Sequence, residues 1–169
     1  ESEKIKVIGS ISTSFGCSIS GVVSEIKVLN IIEKMLEIGV DEISVADTVG
    51  YANPRYVSSL IKKVIKLTQS VPIIGHFHDT RGFGLANLVA AVDEGVTKFD
   101  SSLRGLGGCP YAPGASGNIA TEDCVNLLQE MGYDTGINLN KLADLCELLE
   151  TWFPNERLYG KMNKLNLAN

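Results

Sequence analysis

Strand-like and helix-like segments alternate four times along this chain, and this alternation limits the possible folds more than any other feature. The strand-like runs, rich in β-branched residues, lie at residues 4–12, 41–45, 71–78 and 96–102. Apolar residues recur at helical spacing between them, at 20–38, from Pro54 onward and at 83–94. Four successive strand–helix units predict an α/β fold with a parallel sheet.

The rest of the chain adds a loop and two helices. A glycine-rich loop at 105–117 follows the fourth strand, and helices are predicted at about 120–131 and 139–153. Glu147 and Glu150 are expected on a solvated helix face. Residues 154–169 are expected to form a frayed polar tail or a minor packing arm.

The length of 169 residues, with no composition break, predicts one domain. A closed (β/α)₈ barrel typically takes about 250 residues. Four βα units therefore fit either a flavodoxin-like open sheet or half of a barrel, and the length does not decide between them.

Charge and cysteine usage exclude several classes of function. The net charge of −5 argues against a nucleic-acid partner and a polybasic membrane patch, and no apolar run reaches the ~18–20 residues of a membrane span. None of the four cysteines is spaced C-x-x-C, which disfavours a zinc knuckle or a redox dithiol. We interpret the thiols as reduced and intracellular.

The two histidines of the chain end the third strand, in the sequence GHFHDT at 75–80. Side chains alternate along a strand, so His76 and His78 share one face. In parallel α/β proteins the carboxyl ends of strands are where ligands bind, and two imidazoles there suit a divalent metal. The alternative is a hydrogen-bonded histidine pair in a core, and metallohydrolases also use H-x-H.

The glycine-rich loop carries a second candidate group. Five glycines within 13 positions permit close backbone approach around Cys109, whose thiol is a candidate nucleophile or proton carrier. Asn118 closes the loop, either as the N-cap of the next helix or as an oxygen ligand to a hard cation. The alternative for the whole segment is a mobile surface loop in which Cys109 is incidental.

Two further residues follow strands. Asp47, at the end of the second strand, is expected on the rim facing the metal or as an acid of a strand-to-helix turn. Cys17 follows the first strand and has a possible rim position, whereas Cys124 and Cys146 lie on apolar helix faces and are predicted to be core.

These motifs, in this order, resemble the 3-hydroxy-3-methylglutaryl-CoA lyase family. The matching stretches are 44–50 (SVADTVG), 75–80 (GHFHDT), 100–118 (DSSLRGLGGCPYAPGASGN) and 120–123 (ATED), within a similarity that runs from about residue 7 to 153. The cysteine loop distinguishes this family from the isopropylmalate and homocitrate synthases, which share the H-x-H strand.

The resemblance implies a (β/α)₈ barrel that binds a divalent ion, Mg²⁺ or Mn²⁺. It implies that His76, His78 and Asn118 are metal ligands and that Cys109 is the catalytic thiol. It further implies catalytic roles for Asp47 and His76, with Glu122 and Cys17 as secondary candidates.

The implied reaction is the retro-Claisen cleavage of an acyl-CoA substrate, 3-hydroxy-3-methylglutaryl-CoA, to acetyl-CoA and acetoacetate. The metal acts as Lewis acid and template, and a thiol on a closing loop protonates the leaving enolate. The same resemblance places the enzyme in leucine degradation and ketone-body formation, in a bacterial cytoplasm or a mitochondrial matrix.

The matched region corresponds to strands five to eight of the barrel, so residues 1–153 are expected to be the C-terminal half of the lyase domain and 154–169 a polar tail. An Arg-Asp pair that the family carries on its first strand has no counterpart here. We therefore expect weak metal binding, little activity from this chain alone, and partnership with a missing N-terminal half or a homodimer that covers the open sheet edges. A related metal-dependent carboligase or aldolase, a non-catalytic half-barrel module and a metallohydrolase are the alternatives.

Overall fold

A computed structural model describes residues 5–108 and 117–162 and contains a single parallel sheet in its described part. The elements, in chain order, are β1 (Ile8–Ile11), α1 (Glu25–Glu37), β2 (Glu42–Asp47), α2 (Pro54–Thr68), β3 (Ile73–Phe77), α3 (Gly84–Asp93), β4 (Lys98–Asp100), a 3₁₀ turn (Leu103–Gly105), α4 (Thr121–Glu130) and α5 (Leu139–Trp152). The predicted alternation of strands and helices is confirmed.

The strand order is β1-β2-β3-β4, and every neighbouring pair is parallel. Crossovers between parallel strands are right-handed, so a sequential order places α1, α2 and α3 on the same side of the sheet. A flavodoxin-like sheet reverses its order near the middle and carries helices on both sides. The order therefore favours consecutive barrel strands over the open-sheet alternative.

One side of the sheet, here called the helix face, is apolar and packs under the helices. It is formed by alternate strand residues that are almost fully buried: Ile11, Ile43, Val45, Ile73 and Phe77. Against them pack the buried stripes of α1 and α2, including Val28, Ile32, Val57, Leu60, Ile61 and Val64. Burial of this apolar surface is the main force that holds the described part of the chain together.

The other side, here called the histidine face, carries Ser44, Ala46, Ile74 and His76. The register pairs Ala46 with His76 and Ile74 with Lys98, so these alternate residues lie on one surface. Towards the edges this surface is solvent-exposed, as at Ser10 and Asp100. The sheet thus has one covered side and one side that leads to the candidate site.

The start of α1 differs from its prediction. The helix was expected from residue 20 but begins at Glu25, with Ser24 as its N-cap. Cys17 and Gly21 instead exchange two backbone hydrogen bonds of 2.8 Å, and Gly21 has φ of +76°. This tight turn keeps residues 20–24 out of the helix, although the apolar residues of this stretch recur at helical spacing.

The C-terminal elements pack beside β4, and part of the predicted tail packs with them. Residues 159–162, here called the C-terminal strap, are held by three backbone contacts: Tyr159 N–H donates to Arg104 O, and the N–H groups of Lys161 and Met162 donate to the Asp123 carboxylate. Met162 is buried. Of the two expectations for residues 154–169, the minor packing arm therefore describes the strap. Among the described residues, no helix combines the length and the apolarity needed to cross a membrane.

Candidate metal centre

The two histidines meet at the carboxyl end of β3. The strand ends at Phe77, whose side chain enters the core, and the flanking His76 and His78 point to the opposite side. Their Nε2 atoms lie 3.2 Å apart and their ring centroids 5.1 Å apart. The alternation predicted from the sequence therefore brings the two imidazoles together.

The surroundings of His78 favour a neutral ring. Its burial, and secondarily the charge of His76, lower its pKa from 6.5 to about 4. Its Nδ1 atom is buried without a hydrogen-bond partner in the described part of the chain. On the other ring, His76 Nδ1 lies 3.7 Å from Asp100 Oδ2, which is an ion-pair distance and too long for a hydrogen bond. A neutral imidazole is the form that binds a metal, and the nitrogen that faces the second ring is Nε2 rather than the unpartnered Nδ1.

Asn118 joins this pair from the far side of the glycine-rich loop. It forms an antiparallel bridge with His78, and directly opposed residues in such a bridge project to the same side. Its Nδ2 donates to Leu106 O at 3.1 Å, which leaves the amide oxygen as the acceptor. The helix that follows is capped at Ala120 without a side-chain bond, so the N-cap alternative for Asn118 is not realised.

The donor set fits a divalent cation in part. Two nitrogens bound at about 2.1 Å lie about 3 Å apart in adjacent octahedral positions and slightly farther apart in tetrahedral ones. The observed 3.2 Å is within this range, and it is equally the distance of an N–H···N hydrogen bond between the two rings, which is the alternative for this pair. Within residues 5–108 and 117–162, however, no group of three or more His, Cys, Asp or Glu side chains is placed to hold a metal. The described chain therefore offers two imidazoles and one amide oxygen.

Asp47 lies at the end of β2, but its carboxylate is occupied by its own loop. The backbone N–H groups of Tyr51 and Ala52 donate to it at 2.7 and 3.0 Å. The register pairs Asp47 with Phe77, which puts it on the side of the sheet opposite His76. Burial raises its pKa. The structure gives Asp47 a role in shaping the loop, and a catalytic role for it stays a prediction.

The thiols divide into two environments. Cys109 lies outside the described residues, so its catalytic role also stays a prediction. Cys17 is half-buried in the turn after β1, and hydrogen bonds from Ser20 lower its pKa. Cys124 and Cys146 are buried as predicted, and burial raises the pKa of both, that of Cys146 to about 12.

A buried ionic cluster lies at the base of the loop, and sequence reasoning found only one of its members. Glu122 is fully buried, burial raises its pKa, and its Oε2 accepts a hydrogen bond of 3.1 Å from Arg104 N. Arg104 Nη1 lies 3.6 Å from Glu122 Oε1, and its Nη2 donates to Glu150. Glu150 is exposed, as expected for a solvated face, and is also an ionic partner of Arg104. An isolated arginine just before a glycine-rich loop gives no periodic signal that would mark it.

Comparison with known proteins identifies the family of this chain. The HMGL-like family model matches residues 3–149. A hydroxymethylglutaryl-CoA lyase of Pseudomonas mevalonii is 44% identical over 141 residues, which are 83% of this chain and 47% of the relative. The human mitochondrial hydroxymethylglutaryl-CoA lyase is 41% identical over 153 residues, 88% of this chain and 47% of the relative. The chain thus spans about half the length of the curated relatives it matches.

Solved structures give the same result. An HMG-CoA lyase from Acinetobacter baumannii, in complex with coenzyme A and 3-methylmalate, superposes with a TM-score of 0.84 at 41% identity. The superposed region is 96% of this chain and 52% of the Acinetobacter chain. The hydroxymethylglutaryl-CoA lyase from Pseudomonas aeruginosa superposes with a TM-score of 0.88 at 36% identity, covering 96% and 54%. By its family match, its relatives and its sheet, this chain belongs to the HMGL-like family.

Proposed function

We propose that this chain carries the metal-binding part of a hydroxymethylglutaryl-CoA lyase, which cleaves 3-hydroxy-3-methylglutaryl-CoA to acetyl-CoA and acetoacetate. The observation that supports this most is the convergence of His76, His78 and Asn118 at the carboxyl end of β3. The names of the relatives at 41–44% identity and the coenzyme A bound in the Acinetobacter structure support an acyl-CoA substrate.

The reaction breaks the bond between C2 and C3 of the substrate. The C3 hydroxyl loses its proton, its oxygen becomes the ketone of acetoacetate, and the bonding electrons leave with the acetyl-CoA enolate, which must then gain a proton. A bound divalent cation, Mg²⁺ or Mn²⁺, supplies the Lewis acidity that stabilises negative charge on the substrate oxygens.

In this proposal, residues of this chain would hold the cation and deliver the proton to the enolate. His76 and His78 present ring nitrogens on one side of the sheet, and Asn118 presents its amide oxygen because Leu106 accepts the bond from its Nδ2. For Cys109 we propose the delivery of the proton to the enolate, a task that a thiol can perform as a general acid. Asp47, in the loop that follows β2, is the proposed active-site acid.

The chain spans about half the length of its relatives, and its sheet has four strands in the described part. Within the described part of the chain, β1 and β4 each pair with one strand only, and the histidine face is exposed towards its edges. We propose that a segment equivalent to the other half of the relatives completes the barrel, and that homodimerisation is the other way to cover these edges. The proposed location is a bacterial cytoplasm or a mitochondrial matrix, in leucine degradation and ketone-body formation.

Metal binding is tested by titrating the chain with Mn²⁺ and measuring Kd by calorimetry. Replacing His76 or His78 with Ala should weaken binding at least ~10-fold, because each removes a direct ligand. Lys63→Ala is the matched control, since it removes an ion pair with Glu25 on the helices and leaves the sheet unchanged. Equal Mn²⁺ affinity in the wild type and in both histidine variants would refute the site.

Activity is tested by measuring acetoacetate formed from 3-hydroxy-3-methylglutaryl-CoA. We expect little product from this chain alone and a clear gain when the N-terminal half of the Pseudomonas mevalonii lyase is added in trans. Cys109→Ala should abolish most of that gain while Mn²⁺ affinity persists. Turnover of other acyl-CoA thioesters, unaffected by Cys109→Ala, would instead indicate a carboligase or aldolase.

A second candidate function is a non-catalytic half-barrel module that keeps a vestigial site. It rests on the same histidine pair and assigns that pair no reaction. This function predicts that the added N-terminal half associates with the chain without any acetoacetate being produced. Size-exclusion chromatography of the mixture, run beside the assay, separates the two functions.

A further inference from the structure

The base of the glycine-rich loop and the C-terminal strap are joined by one buried side chain. Arg104 lies in the 3₁₀ turn after β4 and is 7% exposed. Its Nη1 donates to Met162 O at 2.9 Å and to Gly160 O at 3.3 Å. In return, Tyr159 N–H donates to the backbone carbonyl of Arg104 at 2.9 Å. The strap is thus attached to the turn at both the side chain and the main chain.

Arg104 occupies a backbone conformation that is unfavourable for it. Its φ of 55° and ψ of 20° lie in the left-handed region, which few residues other than glycine adopt without cost. The surroundings compensate through the bond from Arg104 N to Glu122 and the ion pairs to Glu122 and Glu150. A strained residue that is fixed by so many partners has a defined position in the fold.

The turn that Arg104 fixes is also the turn that holds Asn118. Leu106, two residues along, accepts the side-chain N–H of Asn118 at 3.1 Å and the Ser102 hydroxyl at 2.5 Å. Asn118 N–H donates to Gly107 O at 3.3 Å. A Cβ at Gly117 would lie 1.8 Å from Gly107 O, so the two stems of the loop are in close contact. A displacement of the 3₁₀ turn must therefore move Asn118.

The strap contributes a packing constraint of its own. A Cβ at Gly160 would lie 1.8 Å from Oε1 of the fully buried Glu122 and 3.2 Å from Arg104 Cδ. The strap therefore approaches the cluster as closely as a chain without a side chain permits. Any side chain at residue 160 must push the strap or Glu122 aside.

We propose that Arg104 is a positioning residue that uses the C-terminal strap as a brace for Asn118. The chain of contacts runs from the carbonyls of Gly160 and Met162 through Arg104 to the turn at Leu106 and then to the amide of Asn118. This inference rests on the proposed function only in giving Asn118 a metal to bind. The brace itself exists without the metal.

The first test follows the Asn118 side-chain amide by NMR hydrogen exchange on the full chain without metal. Arg104→Ala and Gly160→Ala should each speed its exchange by about tenfold or more, because each releases the turn that accepts its bond. Lys63→Ala, and Val28→Ala as a core substitution in α1, should leave this exchange unchanged after correction for global stability. Should Arg104→Ala not fold, Gly160→Ala alone decides.

The second test measures the Kd for Mn²⁺ of the same variants under conditions in which circular dichroism shows them folded. Arg104→Ala and Gly160→Ala should weaken binding about tenfold, the size of effect expected when a partner of a metal ligand is lost. The brace is overturned if both variants exchange the Asn118 amide at the wild-type rate. It is also overturned if Mn²⁺ affinity falls in Arg104→Ala but not in Gly160→Ala. Failure of the wild type itself to bind Mn²⁺ overturns the proposed function, and the exchange experiment still decides the brace.

Discussion

The helix face and the histidine face of the sheet are made from alternate residues of the same strands, yet they serve different purposes. On β3, Phe77 is fully buried against Phe15, with ring centroids 6.2 Å apart, whereas His76 beside it is half-buried and faces a second imidazole. The face that carries the fold is apolar and continuous. The histidine face keeps polar groups, among them His78 Nδ1, which has no hydrogen-bond partner in the described part of the chain.

The largest effect should come from the helix face. Phe77→Ala removes a buried ring and leaves a cavity, so the free energy of unfolding should fall by about 3–5 kcal/mol, as measured by urea denaturation. Phe77→Leu should cost clearly less because it fills most of the space. A loss as small as that of a surface substitution would mean that this face does not hold the described fold together.

The histidine face should make the stability of the protein depend on pH. The pKa of His78 is lowered from 6.5 to about 4, so the folded state resists protonation while the unfolded chain accepts the proton. Stability is therefore fully present above pH 6.5 and is lost as the pH falls towards 4. In metal-free buffer, the wild type should lose on the order of 2–3 kcal/mol of stability over this pH range, and His78→Asn should not show that loss. Identical pH profiles of urea midpoints for the two proteins would contradict the buried, neutral ring.

The smallest effect should come from the exposed end of the histidine face. Lys98 pairs with Glu42 across the sheet at 2.6 Å, but about half of the lysine side chain is exposed. Lys98→Ala should therefore lower stability by less than about 1 kcal/mol, and less still at high salt. A double-mutant cycle with Glu42→Gln measures the pair directly. A coupling energy of several kcal/mol would show that this edge is far less solvated than the sheet suggests.

The sequence was sufficient for the features that repeat at short range. Strand alternation correctly gave the common side of His76 and His78, and Pro54 after Asn53 correctly gave the start of α2, where Asn53 accepts a bond from Tyr56 N. Local patterns of this kind predict structure because each residue's role depends on neighbours a few positions away.

Long-range contacts were beyond such patterns. Arg104 finds its ionic partners 18 and 46 residues along the chain and its strap carbonyls 56 and 58 residues along. The glycine at 21 and the backbone pairing with Cys17 likewise overrode an apolar spacing that favoured helix. Tertiary contacts, which carry no periodicity, determined the first outcome, and a local turn closed by a positive-φ glycine determined the second.

The outer strand β1 has a consequence for handling the protein. Ile8 is 53% exposed and Val7 just before it 54% exposed, on a strand with a partner on one side only in the described fold. Free backbone groups next to exposed apolar side chains are a template for pairing with strands of other molecules. We therefore expect concentrated solutions to form insoluble assemblies, and Val7→Lys to delay their onset.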